Sequence, residues 1–188
     1  MKKSLGAKCL IYPAPVLVVG TYDKAGKPNV MTAAWGGICS AQPPCITVSL
    51  RTATLSHESI LARKAFTISI PSEPHVKAVD FFGLVSGRTT DKLAAAKLTA
   101  VRSKVVDAPY IREFPLVLEC KLVDVAEIGL HVQFIGEVVD AKADESIIGS
   151  GGAVDITRLR PLVYAVDSQD YHAVGAAVGK VFSAGQAL

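Results

Sequence analysis

Residues 16–35 read VLVVGTYDKAGKPNVMTAAW, a segment with two apolar runs separated by polar and glycine residues. Its first part, residues 16–22, is rich in β-branched side chains, and a second apolar run follows at residues 30–35. The segment DKAG at residues 23–26 lies between the two runs and has the composition of a turn. Two β-type runs on either side of a glycine-containing turn are typical of a β-hairpin. The stretch therefore predicts two antiparallel strands.

Beyond this hairpin, short apolar runs with strand-like alternation recur along the chain. Further strands are predicted at residues 46–51, 65–70, 116–125, 131–141 and 162–166, with residues 127–130 as a hairpin connection. No regular alternation of strands and helices runs through the sequence, which argues against a doubly wound sheet. The pattern favours a mainly β protein, an antiparallel barrel with helical inserts.

The inserts contain the predicted helices. A helix is expected over residues 55–64, with Thr52 or Thr54 as its N-cap. Residues 75–85 have apolar side chains at helical spacing. A shorter helix is expected over residues 90–98, with Thr89 or Thr90 at its cap and Leu93 on its buried face. Residues 146–152 have the composition of a loop.

The length and composition predict one globular domain. A chain of 188 residues fits a single domain over residues 1–188, of which residues 167–188 form a weakly patterned C-terminal extension. We expect this extension to pack on the barrel or on a partner subunit. The mean hydropathy of +0.36 indicates excess apolar surface, which favours burial between subunits and hence a homodimer.

The charge distribution excludes several function classes. Lys and Arg number 20 against 17 Asp and Glu, and a net charge of +3 without a basic cluster gives no support to nucleic-acid binding. Residues 28–50 lack charged side chains, but Pro28, Pro43 and Pro44 would break a membrane-spanning helix. Lys2 and Lys3 are not followed by the apolar region of a signal peptide. The sequence predicts a cytoplasmic protein that does not enter a membrane.

The cysteines show no metal-binding pattern. Cys9, Cys39, Cys45 and Cys120 form no CxxC motif, and no Cys and His residues have zinc-finger spacing. In a reducing compartment we expect four small buried hydrophobic side chains and no metal site.

Two segments have the composition of a phosphate-binding site. They read SLRTATLS at residues 49–56 and SGRTTDK at residues 86–92, and each places a guanidinium and several hydroxyls at a predicted helix start. Backbone N–H groups at a helix N-terminus favour an anion. The alternative for both segments is ordinary helix capping beside solvated charges.

A third segment is suited to a flat ligand. Residues 29–37 read NVMTAAWGG and contain the only tryptophan of the sequence beside two glycines. Glycine allows a close approach of the backbone, and an indole packs against planar rings. The alternative is a core tryptophan next to a turn that ends the strand.

Taken together, four segments resemble the flavin reductase-like, FMN-binding split-barrel family, and most closely its flavoredoxin branch. They are NVMTAAWGG at residues 29–37, SLRTAT at residues 49–54, FFGLVSGRTTDK at residues 81–92 and GLHVQFIG at residues 129–136. The resemblance extends over about residues 7–180. It implies a six-stranded antiparallel split barrel of Greek-key topology. It also implies a homodimer with one FMN per subunit near the dimer interface.

The resemblance also implies which side chains contact FMN. The isoalloxazine ring would be bordered by Asn29, Met31, Thr32 and Trp35, and the phosphate end would be held by Arg51, Thr54, Ser56 and Lys92. His131 and Tyr164 would lie near the flavin, whereas Ser86 and Gly87 would shape the loop. FMN itself carries the redox chemistry, so no catalytic side chain is predicted.

One position departs from the pattern of many members of this family. They carry Gly-Asp-His, a motif associated with nicotinamide use, where this chain has Gly129, Leu130 and His131. The departure favours a flavoredoxin-type carrier that transfers electrons from a reductant to a protein acceptor. The first alternative is an NAD(P)H:flavin oxidoreductase that supplies reduced flavin to a monooxygenase. The second is a barrel that binds a ligand without redox chemistry.

Overall fold

The computed structural model describes residues 1–186, which form twelve β-strands and four α-helices. The strands are β1 (Ala14–Pro15), β2 (Leu17–Tyr22), β3 (Pro28–Ala33), β4 (Gly36–Ala41), β5 (Pro44–Arg51), β6 (Ala65–Ile70), β7 (Ala100–Arg102), β8 (Pro109–Ile111), β9 (Leu116–Ile128), β10 (His131–Ala143), β11 (Leu162–Ala165) and β12 (Asp170–Ala173). The α-helices are α1 (Leu55–Arg63), α2 (Val76–Leu84), α3 (Lys92–Ala96) and α4 (Ile156–Leu159). Two single 3-10 turns, Glu73–His75 and Glu145–Ile147, complete the elements.

The predicted N-terminal hairpin is present. Strands β2 and β3 pair antiparallel, with Leu17 opposite Ala33 and Tyr22 opposite Pro28. The turn between them is closed by the N–H of Gly26, which donates to the carbonyl of Asp23 at 3.1 Å. Gly26 has a φ of +82°, a conformation that a residue without a Cβ adopts at little cost.

The principal sheet has seven strands in the order β3-β2-β6-β9-β10-β5-β4, and every neighbouring pair is antiparallel. The mainly β, antiparallel architecture with helical inserts is therefore confirmed, but the expected count of six strands is wrong. The additional strand is β4, which pairs with β5 at the edge of the sheet. Strand β3 forms the other edge, so the sheet is not closed by hydrogen bonds.

The curled sheet encloses the main hydrophobic core. Phe66, Phe134 and Val48 are fully buried there, and Leu50 and Ile68 pack among them. Burying an aliphatic or aromatic side chain stabilises the fold by about 1.5–3 kcal/mol, so each of these residues contributes to the stability of the barrel.

Two predicted helices begin at defined caps. At α1, the Thr54 hydroxyl accepts a hydrogen bond from the N–H of His57 at 3.3 Å, which selects Thr54 over Thr52. At α3 the cap is Asp91, whose carboxylate accepts from the N–H of Ala94 at 3.1 Å. The expectation of Thr89 or Thr90 at this cap is wrong, because both precede the first turn of α3. Leu93 is buried as expected.

A smaller sheet, ordered β1-β11-β12, packs beside a second core that contains Val79, Phe82 and Phe114. Strand β12 lies in the predicted C-terminal extension and pairs with β11. Residues 174–186 are exposed and contain neither helix nor strand, and residues 187 and 188 of the extension lie outside the described residues.

The cysteines divide into two groups. Cys45 and Cys120 are buried, whereas Cys9 and Cys39 are exposed, and none of the four forms a disulfide. The expectation of four buried thiols is therefore wrong for two of them. Cys39 lies on the edge strand β4, and Cys9 belongs to the exposed segment before β1. Among residues 1–186, no helix has the length and apolar character needed to cross a membrane.

Candidate functional site

Two adjoining cavities form one groove along the barrel. The wide cavity has a volume of about 470 Å³ and the narrow cavity about 300 Å³. Met31, Arg51 and Gly83 line both cavities and so mark their junction. All ten residues singled out in the sequence line this groove: Asn29, Met31, Thr32, Trp35, Arg51, Thr54, Ser56, Lys92, His131 and Tyr164.

The narrow cavity lies at the start of α1. Thr54, Leu55 and Ser56 line it, so the first turn of a nine-residue helix borders this space. The backbone N–H groups of a first helical turn and the positive end of the helix dipole both favour an anion. Across the cavity, the side-chain amide of Asn29 donates to the hydroxyl of Ser56 at 3.0 Å. Both side chains are buried, so this contact fixes β3 against the helix start.

Lys92 supplies a buried cation to the same cavity. Its exposed fraction is 6%, and its ammonium donates to the carbonyl oxygen of Phe82 at 2.8 Å. Burial lowers the pKa of Lys92 to about 8. Among the described residues no carboxylate pairs with it, since the neighbouring Asp91 pairs with Lys27. A buried ammonium whose partner is a neutral carbonyl is suited to a bound anion.

The loop that follows α2 approaches the narrow cavity closely at Gly87. A Cβ at this position would collide with the Oδ1 atom of Asn29 and lie 3.1 Å from a methyl group of Leu55. Only glycine fits here without displacing Asn29. Gly87 therefore shapes the wall of the cavity through its lack of a side chain.

The wide cavity is lined by more aromatic side chains than the narrow one. Trp35 is 38% exposed and lines it, so the alternative of a core tryptophan is wrong. The carbonyl of Trp35 accepts from the N–H of Ser49 at 2.7 Å, which holds this segment on β5. A Cβ at the next residue, Gly36, would lie 2.5 Å from the carbonyl oxygen of Thr47, so the close approach requires glycine.

Hydrogen bonds and strand register position the other residues of the wide cavity. The Thr32 hydroxyl donates to the carbonyl of Val79 at 2.6 Å, which ties β3 to α2. His131, the first residue of β10, lies opposite Arg51, the last residue of β5. No ion pair between described residues involves Arg51. Its guanidinium is therefore free to meet a ligand at the junction of the two cavities.

Sequence reasoning missed four polar residues that line the wide cavity. They are Ser49, Asp80, Gln169 and Tyr171. The Tyr171 hydroxyl donates to a carboxylate oxygen of Asp80 at 3.2 Å, and burial together with Asp80 raises the pKa of Tyr171 to about 12. The Tyr171 ring lies 6.0 Å from that of Tyr164, centroid to centroid. The signal for Ser49 was present in the segment at residues 49–56, whereas nothing local marked the other three.

The groove thus combines two chemical environments. Its narrow end offers two cations, hydroxyl groups and a helix start, which suit a phosphate group. Its wide end offers an indole, two phenol rings and a histidine around a larger space, which suit a planar ring. A ligand with a phosphate at one end and a planar ring system at the other fits this arrangement.

Comparison with known proteins gives a consistent result. The family model described as a flavin reductase-like domain matches residues 9–173. Flavoredoxin of Desulfovibrio vulgaris (Miyazaki F) is 51% identical, with a TM-score of 0.95, over 99% of this chain and 100% of that chain. Flavoredoxin of Methanosarcina acetivorans is 29% identical, with a TM-score of 0.92, over 100% of this chain and 98% of the other.

Curated relatives extend the comparison. An NADH:riboflavin 5'-phosphate oxidoreductase of Streptomyces pristinaespiralis is 28% identical over 70% of this chain and 72% of its own length. The match spans 64% of a relative from Archaeoglobus fulgidus and 58% of one from Aeropyrum pernix, less than two thirds of either protein. The family model covers most of the chain, and the Desulfovibrio flavoredoxin is more than half identical over nearly all of it. The chain belongs to the flavin reductase-like domain family.

Proposed function

We propose that the protein is an FMN-binding electron carrier of the flavoredoxin type, which transfers electrons from a reductant to a protein acceptor. The observation that carries the proposal is the position of Arg51, which lies where the phosphate-suited cavity meets the ring-suited cavity. The likeness to the Desulfovibrio flavoredoxin at 51% identity supports it. FMN, when bound, supplies reversible one- and two-electron redox chemistry.

The narrow cavity would hold the FMN phosphate. Arg51 and Lys92 provide positive charge, and Thr54 and Ser56 lie at the start of α1, where N–H groups favour an anion. Charge-assisted hydrogen bonds contribute about 1.5–3 kcal/mol each, so two or three of them would retain the cofactor.

The wide cavity would hold the isoalloxazine ring. Thr32 is fixed by its bond to Val79, and Trp35 is fixed by its backbone bond to Ser49, so the wall is formed before the ligand enters. A wall that does not rearrange on binding lowers the entropic cost of association. His131 and Tyr164 complete this end of the site. These residues bind and orient the cofactor and exclude water from it.

We favour the carrier over an NAD(P)H:flavin oxidoreductase because of the turn between β9 and β10. Leu130 is 63% exposed beside His131 and offers no hydrogen-bond acceptor to a ribose hydroxyl or to the imidazole. The Streptomyces relative named for NADH-dependent reduction of riboflavin 5'-phosphate supports the alternative. The reductant therefore has to be tested directly.

We also propose that the protein works as a homodimer with the groove near the interface. Large apolar side chains are exposed at Ile38, Leu84, Ile128 and Leu130, with exposed fractions of 87%, 75%, 59% and 63%. Leu84 lines the narrow cavity, and Leu130 adjoins His131 in the wide one. A second copy of this chain would cover such a surface. Light scattering after gel filtration tests this proposal, and a monomer at high concentration would contradict it.

The function is tested by the visible spectrum of the purified or FMN-reconstituted protein during reduction without oxygen. If the protein is an electron carrier of this type, we expect it to be yellow, to be bleached promptly by dithionite and to be bleached slowly by NADH. Rapid bleaching by NADH would contradict the assignment as a carrier and support the assignment as an NAD(P)H:flavin oxidoreductase. A protein that stays colourless and does not take up FMN would overturn both functions and leave a barrel that binds another ligand.

A further inference from the structure

The wide cavity contains one carboxylate. Among the residues that line it, Arg51 and Asp80 are the ones with a permanent charge, and Arg51 lies at the junction with the narrow cavity. Asp80 lies on α2, one turn before Gly83, and lines the wide cavity but not the narrow one. No ion pair between described residues involves it. Lys77, one turn earlier on α2, faces a different cavity.

Tyr171 holds this carboxylate in place. Its hydroxyl donates to Asp80 at 3.2 Å, and this bond links β12 to α2 across the wide cavity. The pKa of Tyr171 is raised to about 12, so the phenol keeps its proton and remains a donor. The hydroxyl therefore stays available to hold the Asp80 carboxylate against the wide cavity.

Binding of FMN leaves this charge uncompensated. The phosphate of FMN carries about two negative charges at neutral pH, and Arg51 and Lys92 supply two positive ones in the cavity where it would bind. Among the described residues that line the groove, no further lysine or arginine then offsets Asp80. A second ligand that approaches the ring end meets a negative charge.

We propose that Asp80 is a specificity-determining residue for the reductant: its carboxylate disfavours anionic donors at the ring end of the groove and favours uncharged or cationic ones. This inference rests on the proposed function, because it concerns the donor that meets bound FMN. Pyridine dinucleotides carry two phosphate charges on their pyrophosphate and fall in the disfavoured class. Repulsion from an exposed carboxylate at short range changes a rate or an affinity by about fivefold at low ionic strength, and salt screens it.

Two donors of the same chemistry and different charge test the proposal. NADH is an anion, whereas 1-benzyl-1,4-dihydronicotinamide is uncharged. Each donor transfers one hydride, that is two electrons and one proton, to bound FMN and is left as the oxidised pyridinium. The variant Asp80→Asn removes the charge and preserves the shape of the side chain. We expect it to raise the reduction rate with NADH, relative to the uncharged donor, by about fivefold at low salt.

A binding measurement gives a second readout that does not depend on turnover. The analogue 1,4,5,6-tetrahydro-NAD transfers no hydride to FMN and, like NADH, has an uncharged nicotinamide ring and two pyrophosphate charges. Its dissociation constant is measured by calorimetry on the FMN-loaded protein. Asp80→Asn should lower this constant by a similar factor, and added salt should remove the difference. Asp144→Asn, at an exposed carboxylate outside the groove, serves as the matched control and should change neither quantity. Tyr171→Phe keeps the charge and should preserve the discrimination against NADH.

The outcomes separate this inference from the proposed function. Each variant is first tested for FMN content and for its melting temperature. If FMN does not bind to the wild type, the proposed function fails. If FMN binds and Asp80→Asn leaves both the donor ratio and the dissociation constant of tetrahydro-NAD at wild-type values, the proposed function stands and the role of Asp80 is overturned.

Discussion

The side-chain amide of Asn29 donates to the hydroxyl of Ser56 at 3.0 Å, and this hydrogen bond joins an edge strand of the barrel to the first turn of α1. Both side chains are buried at the narrow end of the groove, so the bond fixes the geometry of the proposed phosphate site. The loop after α2 presses Gly87 against Asn29 and leaves no room for a side chain between them.

Gly87→Ala should weaken FMN binding without unfolding the protein. Its methyl group would displace the Asn29 amide and break the bond to Ser56, a loss of about 1 kcal/mol for a neutral hydrogen bond. We expect the Kd for FMN, measured by quenching of flavin fluorescence, to rise about fivefold or more. Gly151→Ala, where a Cβ meets open space, is the control. Equal FMN affinity in Gly87→Ala and the wild type would contradict the proposed position of the phosphate.

Removing either cation of the narrow cavity should weaken FMN binding strongly. Arg51→Ala and Lys92→Ala should each raise the Kd for FMN by about tenfold or more, which corresponds to 1.4 kcal/mol per factor of ten. Lys92→Met removes the charge but keeps an unbranched apolar side chain at this buried position, so it separates the loss of charge from a loss of packing. Lys104→Ala removes an exposed positive charge outside the groove and should have no effect. Wild-type affinity in both groove variants would remove the phosphate assignment.

The burial of Lys92 predicts a pH dependence of FMN binding. Its pKa is lowered to about 8 in the free protein, and a bound phosphate dianion favours the protonated form and raises that value. Binding above about pH 8 therefore takes up a proton, and the affinity should fall by up to about tenfold per pH unit as the pH rises. Below about pH 8 Lys92 is protonated in both the FMN-free and the FMN-bound protein, so it contributes no change of FMN affinity with pH. Lys92→Met should abolish this fall of FMN affinity with rising pH. If the affinity of the variant still falls above about pH 8, the titrating group is not Lys92.

Substitution of Leu130, in the turn between β9 and β10, should increase the rate at which the protein oxidises NADH. Leu130→Asp introduces a carboxylate acceptor beside His131, in the turn where the family resemblance implies Asp in proteins that use nicotinamide. We expect Leu130→Asn and Leu130→Asp both to raise the rate of NADH oxidation by the FMN-loaded protein. The increase should be larger for Leu130→Asn, because it offers an acceptor without adding a second negative charge near Asp80. A rate that stays at the wild-type level in both variants would show that Leu130 does not limit the use of NADH.

The cysteines should react in two groups. Cys9 and Cys39 are exposed and should react quickly with a thiol reagent in the native protein. Burial raises the pKa of Cys120 to about 12 and also raises the pKa of Cys45, so these two thiols should react only after unfolding. Titration with Ellman's reagent, before and after addition of guanidinium, measures this division. Fast reaction of Cys120 in the native state would contradict the described core.

The parts of the fold that sequence reasoning predicted are those with strong local signals. The hairpin of β2 and β3 has two β-type runs and a glycine turn, and α1 has a threonine cap and a basic end. Strand β4 was missed because glycines begin it and prolines follow it, and its position at the sheet edge requires little burial. Strand β12 was missed because its exposed polar residues are held by pairing with β11, which sequence periodicity does not report.

For the candidate site, too, the residues that could be predicted are those with a strong local sequence signal. Segments that contain several suggestive residues in a row, such as residues 49–56, could be read from the sequence. Asp80 lies within an apolar helical run, and Tyr171 stands alone in the C-terminal region. These two residues meet only because β12 packs over α2, a contact between distant parts of the chain. Long-range packing of this kind leaves no local signal.

The most direct test of the account is a titration of the FMN-free protein with FMN and with riboflavin, which lacks the phosphate. We expect one FMN per chain and an affinity for riboflavin that is lower by at least about a hundredfold, because two charge-assisted contacts are lost. The same affinity for both flavins, or no binding of FMN at all, would contradict the assignment of the groove to this cofactor.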